Sequence, residues 1–156
     1  MPLSPPAAVY IAPTPDPVTP VAAFAPPAAT EGAIQTLSTS VVAAEGATGN
    51  GDLVVTTTVT NDEGIVLSLA NALPLLSATH TTAALIAAAL RTMLEEDPFF
   101  DTFCNVSGTG ADVVIGYRDY HPNDPHFALV ITPGLGVTQG AVTHVAGALP
   151  SPSAIW

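Results

Sequence analysis

The sequence predicts an α+β domain, in which an antiparallel or mixed β-sheet packs against one main α-helix. Two observations lead to this fold class. Segments with β-branched or alternating patterns lie on both sides of residues 77–97, and that stretch has helical periodicity. The predicted organisation is a Pro-rich arm at 1–32, an α+β module at 33–135 and a C-terminal tail at 136–156.

The arm at residues 1–32 holds nine of the 16 prolines in the chain. Proline lacks the backbone N–H and clashes within a helix, so the arm is neither a helix nor a good central strand. It nevertheless carries apolar and aromatic side chains that a disordered tail usually lacks. We expect it to dock on neighbouring subunits, although a mobile tail is the alternative. The predicted anchors are Val9, Tyr10, Ile11, Val18, Val21 and Phe24.

Three strands are predicted ahead of the helix. They are "AIQTLSTSVV" (33–42), "DLVVTTTVT" (52–60) and "IVLSLANAL" (65–73), and their Val, Thr and Ile residues favour the pleated sheet. The Gly-rich "EGATGNG" and the polar "NDEG" between them read as turns. Residues 52–70 are therefore expected to form a hairpin.

The segment "SATHTTAALIAAALRTMLEED" predicts the main helix, with Ser77 or Thr79 as its N-cap. Pro98 is expected to end it at or before Asp97, because the residue before a proline disfavours helical geometry. An ion pair between Arg91 and Glu95 is expected on the solvent side. The apolar stripe at helical spacing comprises Leu85, Ile86, Ala89, Leu90, Met93 and Leu94.

Further strands are predicted after the helix. The "FFDTF" segment is expected to pack its three phenylalanines under the sheet. The stretch "CNVSGTGADVVIGYRD" reads as two short strands joined by residues 108–110, and "HFALVITPG" as another strand. The tail at 136–156 has weak periodicity. It ends in Ile155 and Trp156, which are expected to dock on this subunit or a neighbour.

The balance of charged residues argues against two classes of binding partner. Lysine is absent, and Arg91 and Arg118 stand against 13 carboxylates, giving a formal net charge of −11. A protein that binds nucleic acid or an anionic membrane surface normally uses Lys and Arg, so neither partner is expected. The single Cys104 gives no internal disulfide and is expected to be a small buried residue.

A possible metal cluster lies in "HPNDPH", where His121, Asp124 and His126 fall within six residues. The spacing matches no closed zinc pattern, and the two prolines with Asn–Asp favour a turn, so we expect no metal site. Neither a "GxSxG" elbow nor a phosphate-binding loop is present. We expect no catalytic residues and no cofactor, and the chain is not expected to be an enzyme.

Residues 50–135 resemble a small α+β module found in structural proteins of tailed bacteriophages. The resemblance rests on the Ala-rich helix with Arg91, on Phe103 followed by "VSGTGADVV" at 106–114, and on the "ND" turn at Asn123–Asp124. It implies a place in the virion and brings no catalytic residues.

Together these features predict a virion protein on the outer surface of the capsid. It would be a cement or decoration protein that stabilises the shell by docking its arm and tail on neighbouring copies of the major capsid protein. Surplus apolar sequence also predicts self-association as a homodimer or homotrimer. The alternative is a tail-fibre or tail-tip module that binds a receptor or glycan through Tyr117, Tyr120 and His121.

Overall fold

The strands pair into two antiparallel sheets, which pack with a helical layer. Burial alternates along most of the strands, so each sheet has an inner and an outer face. A computed structural model of the chain describes residues 2–4 and 29–151. Within these residues the elements are, in order, β1 (Thr36–Val42), β2 (Gly51–Thr60), β3 (Val66–Leu75), α1 (Ala83–Glu96), α2 (Pro98–Phe103), β4 (Cys104–Ser107), β5 (Asp112–Tyr117), β6 (Ala128–Ile131), β7 (Thr138–Gln139) and β8 (Thr143–Val145).

The predicted α+β class is confirmed, and every paired strand is antiparallel. The first sheet has the order β4-β5-β1-β7, with β8 also paired to β1; the second has the order β3-β2-β6. Helix α1 contacts β1, β4 and β5 of the first sheet and β3 of the second. The division into two sheets was not predicted, because β-pattern alone does not say which strands pair.

One hydrophobic core lies between these layers. The inner faces of both sheets and the buried faces of α1 and α2 contribute to it, since alternate strand residues point to the same side. Its largest fully buried side chains include Leu37, Leu53, Leu75, Ile86, Leu90, Leu94, Phe100, Ile115, Phe127 and Ile131.

The predicted hairpin is confirmed and is longer than the sequence suggested. Strands β2 and β3 pair without interruption, from Gly51 opposite Leu75 to Thr60 opposite Val66. The side chain of Asn61 closes the turn, because its Oδ1 accepts hydrogen bonds from the backbone N–H groups of Glu63 (3.1 Å) and Ile65 (2.8 Å). This self-bonding of a turn residue fixes the hairpin register.

Helix α1 begins later than predicted. Its N-cap is Thr82, whose side chain accepts from the backbone N–H of Leu85 at 3.3 Å, so the prediction of Ser77 or Thr79 was wrong. Ser77 instead binds Asn50, and residues 77–79 form a turn ahead of the helix. The predicted end at Asp97 is confirmed.

Asp97 has a structural role that the sequence did not reveal. It follows α1 and is the N-cap of α2, with its carboxylate accepting from the N–H groups of Phe99 (2.9 Å) and Phe100 (3.4 Å). Pro98 occupies the first turn of α2, where a missing N–H costs nothing. Of the three phenylalanines, Phe100 is fully buried; Phe99 and Phe103 are half-buried and pack edge to face at 5.5 Å.

Both arginines are engaged within the fold. The Arg91 guanidinium donates to the carbonyl oxygens of Gly110 (3.2 Å) and Asp112 (2.5 Å), so it holds the β4–β5 turn instead of pairing with Glu95 as predicted. An exposed Arg–Glu pair contributes little free energy, so the fold loses little when Arg91 binds these carbonyls instead. Arg118 binds the carboxylate and the carbonyl oxygen of Asp101 in α2.

Residues 136–151, predicted as part of the C-terminal tail, pair with residues of the segment 30–42, where the described domain begins. Strands β7 and β8 both lie against β1, and the register shifts by one residue between them, which is a β-bulge. Val137 is 1% exposed and belongs to the core rather than to a tail. Long-range pairing of this kind leaves little signal in a weakly periodic sequence.

We expect Thr82→Ala to destabilise the protein by about 1 kcal/mol, because an N-cap side chain satisfies a free N–H of the first helical turn. Thr79→Ala is the matched control, since Thr79 is exposed and precedes the helix. Urea unfolding followed by circular dichroism measures both. Equal losses for the two variants would contradict the assigned cap.

Candidate interaction surface and its buried carboxylate

The two ends of the described fold lie side by side. Ser151 N–H donates to the Thr30 carbonyl at 3.0 Å, and Ala33 and Ala148 exchange two hydrogen bonds of 2.9 Å. The arm and the end of the tail therefore leave the domain at one place. We call this the exit end, and define it as residues 29–35, 118–127 and 145–151.

The predicted anchors themselves lie outside the described residues. This applies to every one of them: Val9, Tyr10, Ile11, Val18, Val21, Phe24, Ile155 and Trp156. The structure instead shows where the chain segments that carry them begin. At the exit end, three large apolar side chains are about half exposed, namely Tyr120 (50%), Val145 (53%) and Leu149 (56%).

Close packing holds the loop 118–127 against the paired chain ends. A Cβ atom on Gly147 would lie 2.6 Å from the His121 carbonyl oxygen and 2.9 Å from Cβ of Gln35. A Cβ atom on Gly32 would lie 2.6 Å from the ring of Tyr120. At Gly147 the close neighbour is a backbone oxygen, so only glycine fits there; at Gly32 any side chain would require the Tyr120 ring to shift.

The loop is anchored by the carboxylate of Asp124, whose side chain is 1% exposed. Its oxygens accept hydrogen bonds from the Tyr117 hydroxyl (2.6 Å), the Thr60 hydroxyl (2.9 Å), the Thr60 N–H (3.0 Å) and the His126 N–H (2.8 Å). Tyr117 ends β5 of the first sheet and Thr60 ends β2 of the second. One carboxylate thus joins the two sheets.

Gln35 adds a second connection to the same residue. Its side-chain amide donates to the Asp124 carbonyl oxygen (2.8 Å) and accepts from the Asp124 N–H (2.7 Å). Gln35 is buried and immediately precedes β1, and its carbonyl oxygen accepts from the Tyr117 N–H at 3.1 Å. The first residues of the domain, which pair with its last residues, are therefore fixed to the loop through Gln35. The loop in turn is fixed to both sheets through Asp124.

These contacts determine the ionisation of the buried pair. Burial opposes the charged form of Asp124, but the hydrogen bonds from Tyr117, His126 and Thr60 outweigh it and lower the pKa of the carboxyl group. Burial, followed by the hydrogen bond to Asp124, raises the pKa of the Tyr117 hydroxyl. At neutral pH the tyrosine is the donor and the aspartate is the charged acceptor.

The residues of "HPNDPH" are held in a turn. The oxygens of Asp124 are occupied by protein donors, and the Nδ1 atom of His126 lies 3.5 Å from its Oδ1. His121 stacks on the Tyr117 ring with centroids 4.6 Å apart. Across residues 2–4 and 29–151, no group of three or more His, Cys, Asp or Glu side chains is placed to hold a metal ion.

The aromatic cluster of the receptor-binding alternative is only partly on the surface. Tyr117 is 5% exposed, bonds Asp124 and packs against Phe127 with centroids 4.6 Å apart. Tyr120 is exposed and lines a small cavity of about 160 Å³ together with Tyr117 and His121. The three residues therefore border one cavity, although Tyr117 is held mainly by its contacts within the core.

Cys104 is buried, as predicted, at the start of β4. Burial raises the pKa of its thiol to about 12, and the nearby Arg118 lowers it only partly. The thiol is therefore protonated at neutral pH and is a poor nucleophile.

Comparisons of the chain with protein-family models, with curated protein sequences and with solved structures find no match. Neither of the two helices described between residues 29 and 151 is long and apolar enough to cross a membrane. The geometry of the exit end is accordingly the basis for a functional proposal.

Sequence reasoning did not identify the linking role of Asp124 and Gln35. It read Asp124 as a turn residue. The available signal was an acidic residue set between two prolines and followed by a buried strand, which suggests a loop fixed by local hydrogen bonds. Its partners come from distant parts of the chain, 64 and 89 residues away, and no local pattern indicates them.

We expect Asp124→Asn to destabilise the protein by about 2–4 kcal/mol at pH 7, because an amide cannot accept all four hydrogen bonds and leaves buried donors unpaired. Asp119→Asn is the matched control, since Asp119 is exposed in the same loop. Urea unfolding at pH 7 measures both variants. Similar losses for Asp124→Asn and Asp119→Asn would argue against the linking role.

Stability should also depend on pH through Asp124. The folded pKa lies below the unfolded value, so the contribution is complete above an unfolded pKa of about 3.9 and is lost as the pH falls through the folded pKa. The difference in unfolding free energy between the wild type and Asp124→Asn should shrink as the pH is lowered from 7 into this acidic range. A difference that stays constant with pH would contradict a charged acceptor.

Proposed function

We propose that this protein is a structural component of a tailed-bacteriophage virion, a cement or decoration protein on the outer surface of the capsid. Its folded module stands on the shell, while the arm and tail attach to neighbouring copies of the major capsid protein. This proposal takes its virion context from the resemblance of residues 50–135 and its mechanism from the exit end.

The single observation that carries the mechanism is the pairing of Thr30 with Ser151. Two apolar extensions that leave a domain side by side can engage one underlying surface together. Once one is bound, the other binds with a high effective concentration, so weak individual contacts add up to firm attachment. Extensions leaving from opposite ends would not favour a single point of attachment.

The residues of the two extensions and of the exit end favour attachment through apolar side chains over attachment through ion pairs. The arm has no basic residue, and both arginines of the chain bind groups within the fold. The exposed Tyr120, Val145 and Leu149 extend the apolar character of the two chain ends onto the domain surface. Attachment should therefore persist in about 1 M salt, where ionic contacts are screened.

A rigid base makes the paired extensions effective. Asp124 and Gln35 connect the start of the chain to both sheets, and glycine at positions 32 and 147 allows the loop to pack closely on the ends. Force on either extension is thus transmitted to the whole domain instead of peeling off one strand. This is the property that a protein bridging capsid subunits needs.

The test compares retention on phage heads that lack the protein. Deleting residues 5–28 should abolish retention while leaving the module folded, and deleting residues 152–156 should weaken it, because each deletion removes one of two linked contacts. Retained copies are counted by mass spectrometry of purified heads, before and after a wash in about 1 M salt.

A matched control keeps the length of the arm and all its prolines. Replacing Thr14 and Thr19 by alanine should not change retention, whereas replacing the six arm anchors by serine should abolish it. Undiminished retention of the serine variant would refute attachment through the arm. Binding to host cells or tails but not to heads would support the receptor-binding alternative instead.

A further inference from the structure

Strand β3 is a long free edge of the second sheet. It pairs with β2 along all ten residues, and its other side has no strand neighbour among the described residues. The sequence "VLSLANALPL" contains no ionisable side chain, and neither does the longer stretch from residue 64 to residue 79. In a chain of net charge −11, the strand itself adds no charge to a contact between two copies, so the carboxylates nearest to the pairing are those of the adjacent groove.

The other edge of the same sheet is protected. The side-chain amide of Gln139 accepts from the Ile131 N–H (3.0 Å) and donates to the Leu129 carbonyl oxygen (2.7 Å), so it covers the outer side of β6. Natural sheet edges are usually kept from pairing by such covers, by charges or by bulges. Strand β3 has neither charges nor a bulge, since its register with β2 is continuous.

The direction of the β3 backbone groups follows from the ladder. The Val54 carbonyl oxygen accepts from the Thr132 N–H beside β6, so even-numbered residues of β2 face β6 and odd-numbered ones face β3. In β3 the even-numbered residues consequently point their backbone groups to the free edge. These are Val66, Ser68, Ala70, Ala72 and Pro74, of which Pro74 alone has no N–H to offer.

We propose that two copies of this chain pair β3 with β3, antiparallel across a twofold axis, and so form a homodimer with a continuous six-stranded sheet. In this register Val66 lies opposite Ala72 of the second copy and Ser68 opposite its Ala70. All four outward residues that possess an N–H then form hydrogen bonds, about eight in total across the interface. Leu69 lies on the axis, opposite Leu69 of the second copy.

Neighbouring registers are less favourable. If the twofold axis passes through Ala70 instead of Leu69, Pro74 of one copy lies opposite Val66 of the other. Proline has no N–H, so this register loses a hydrogen bond at each such pair. Moving the axis toward the N-terminus to Ser68 sets Ala72 opposite Gly64, which has φ 78° and lies in the hairpin turn outside the strand. The position of the proline and the turn therefore selects one self-complementary pairing.

The inner face of β3 gives this pairing apolar contacts. Leu67 and Leu69 are half-buried, and Leu69 lines an open groove of about 690 Å³ together with Ala89 and Met93. The end of α1 adds Glu96 to this groove, and the Asp97 that follows adds a second carboxylate. Side chains of a second copy would cover this groove, since the two Leu69 residues meet at a closely spaced, non-hydrogen-bonded position. Isologous closure also limits the assembly to two copies.

This inference does not depend on the proposed function, because it concerns the purified chain without any particle. Cysteine cross-linking of the full chain tests the register. In Leu69→Cys, the two introduced residues would have Cα atoms about 4.5 Å apart, within the range for a disulfide. In the matched control Leu67→Cys, the two positions are offset by four residues, about 13 Å.

Leu69→Cys should form a disulfide-linked dimer at least about tenfold faster than Leu67→Cys under mild oxidation, because disulfide geometry is demanding. The native Cys104 is buried in both variants and does not compete. Equal rates would overturn the register. Sedimentation equilibrium of the wild-type chain should give a monomer–dimer association, and a chain that stays monomeric or forms a trimer would overturn the interface itself.

Ala70→Pro provides a second variant. Its N–H points away from β2, so the substitution leaves the β2–β3 ladder intact but removes two symmetry-related hydrogen bonds at the dimer edge. We expect the dimer dissociation constant to rise at least about tenfold, with an unchanged circular dichroism spectrum. A folded Ala70→Pro variant that dimerises as the wild type does would contradict the proposal.

Discussion

The buried carboxylate of Asp124 is the interaction on which the arrangement of the two sheets depends. It accepts hydrogen bonds from Tyr117 at the end of β5 and from Thr60 at the end of β2, and its backbone is held by Gln35 ahead of β1. A charged acceptor with this many donors is stable in a buried site because the hydrogen bonds replace its hydration. The sheets are thereby joined by a polar network as well as by their shared core.

The same network supports the proposal that the two chain ends act as one attachment point. Pairing of Thr30 with Ser151 brings the extensions together, and the loop around Asp124 packs against that pair through Gly32 and Gly147. In the proposed function, this connection of the chain ends to both sheets is what would let weak contacts of the extensions hold the whole domain.

A few charged side chains hold the fold together, whereas most of the carboxylates of the described residues are exposed. Arg91 fastens the β4–β5 turn, Arg118 fastens α2, and Asp97 caps α2. The two surfaces that we propose for partners are the apolar side chains at the exit end and the free backbone groups along β3. Such surfaces favour contacts that bury area and extend sheets over contacts based on ion pairs.

Local sequence patterns were sufficient to predict the α+β class, the β2–β3 hairpin and the body and end of α1, because periodicity, turn residues and Pro98 act locally. The N-cap at Thr82 is a local contact with Leu85, which the several Ser and Thr residues ahead of the helix left ambiguous in the sequence. The partner of Arg91, the pairing of residues 136–151 with β1 and the role of Asp124 were established by folding alone. Each of these depends on groups brought together by folding, some 89 residues apart for Gln35 and Asp124. Local patterns record what a segment prefers, whereas such contacts are selected by the packing of the two sheets.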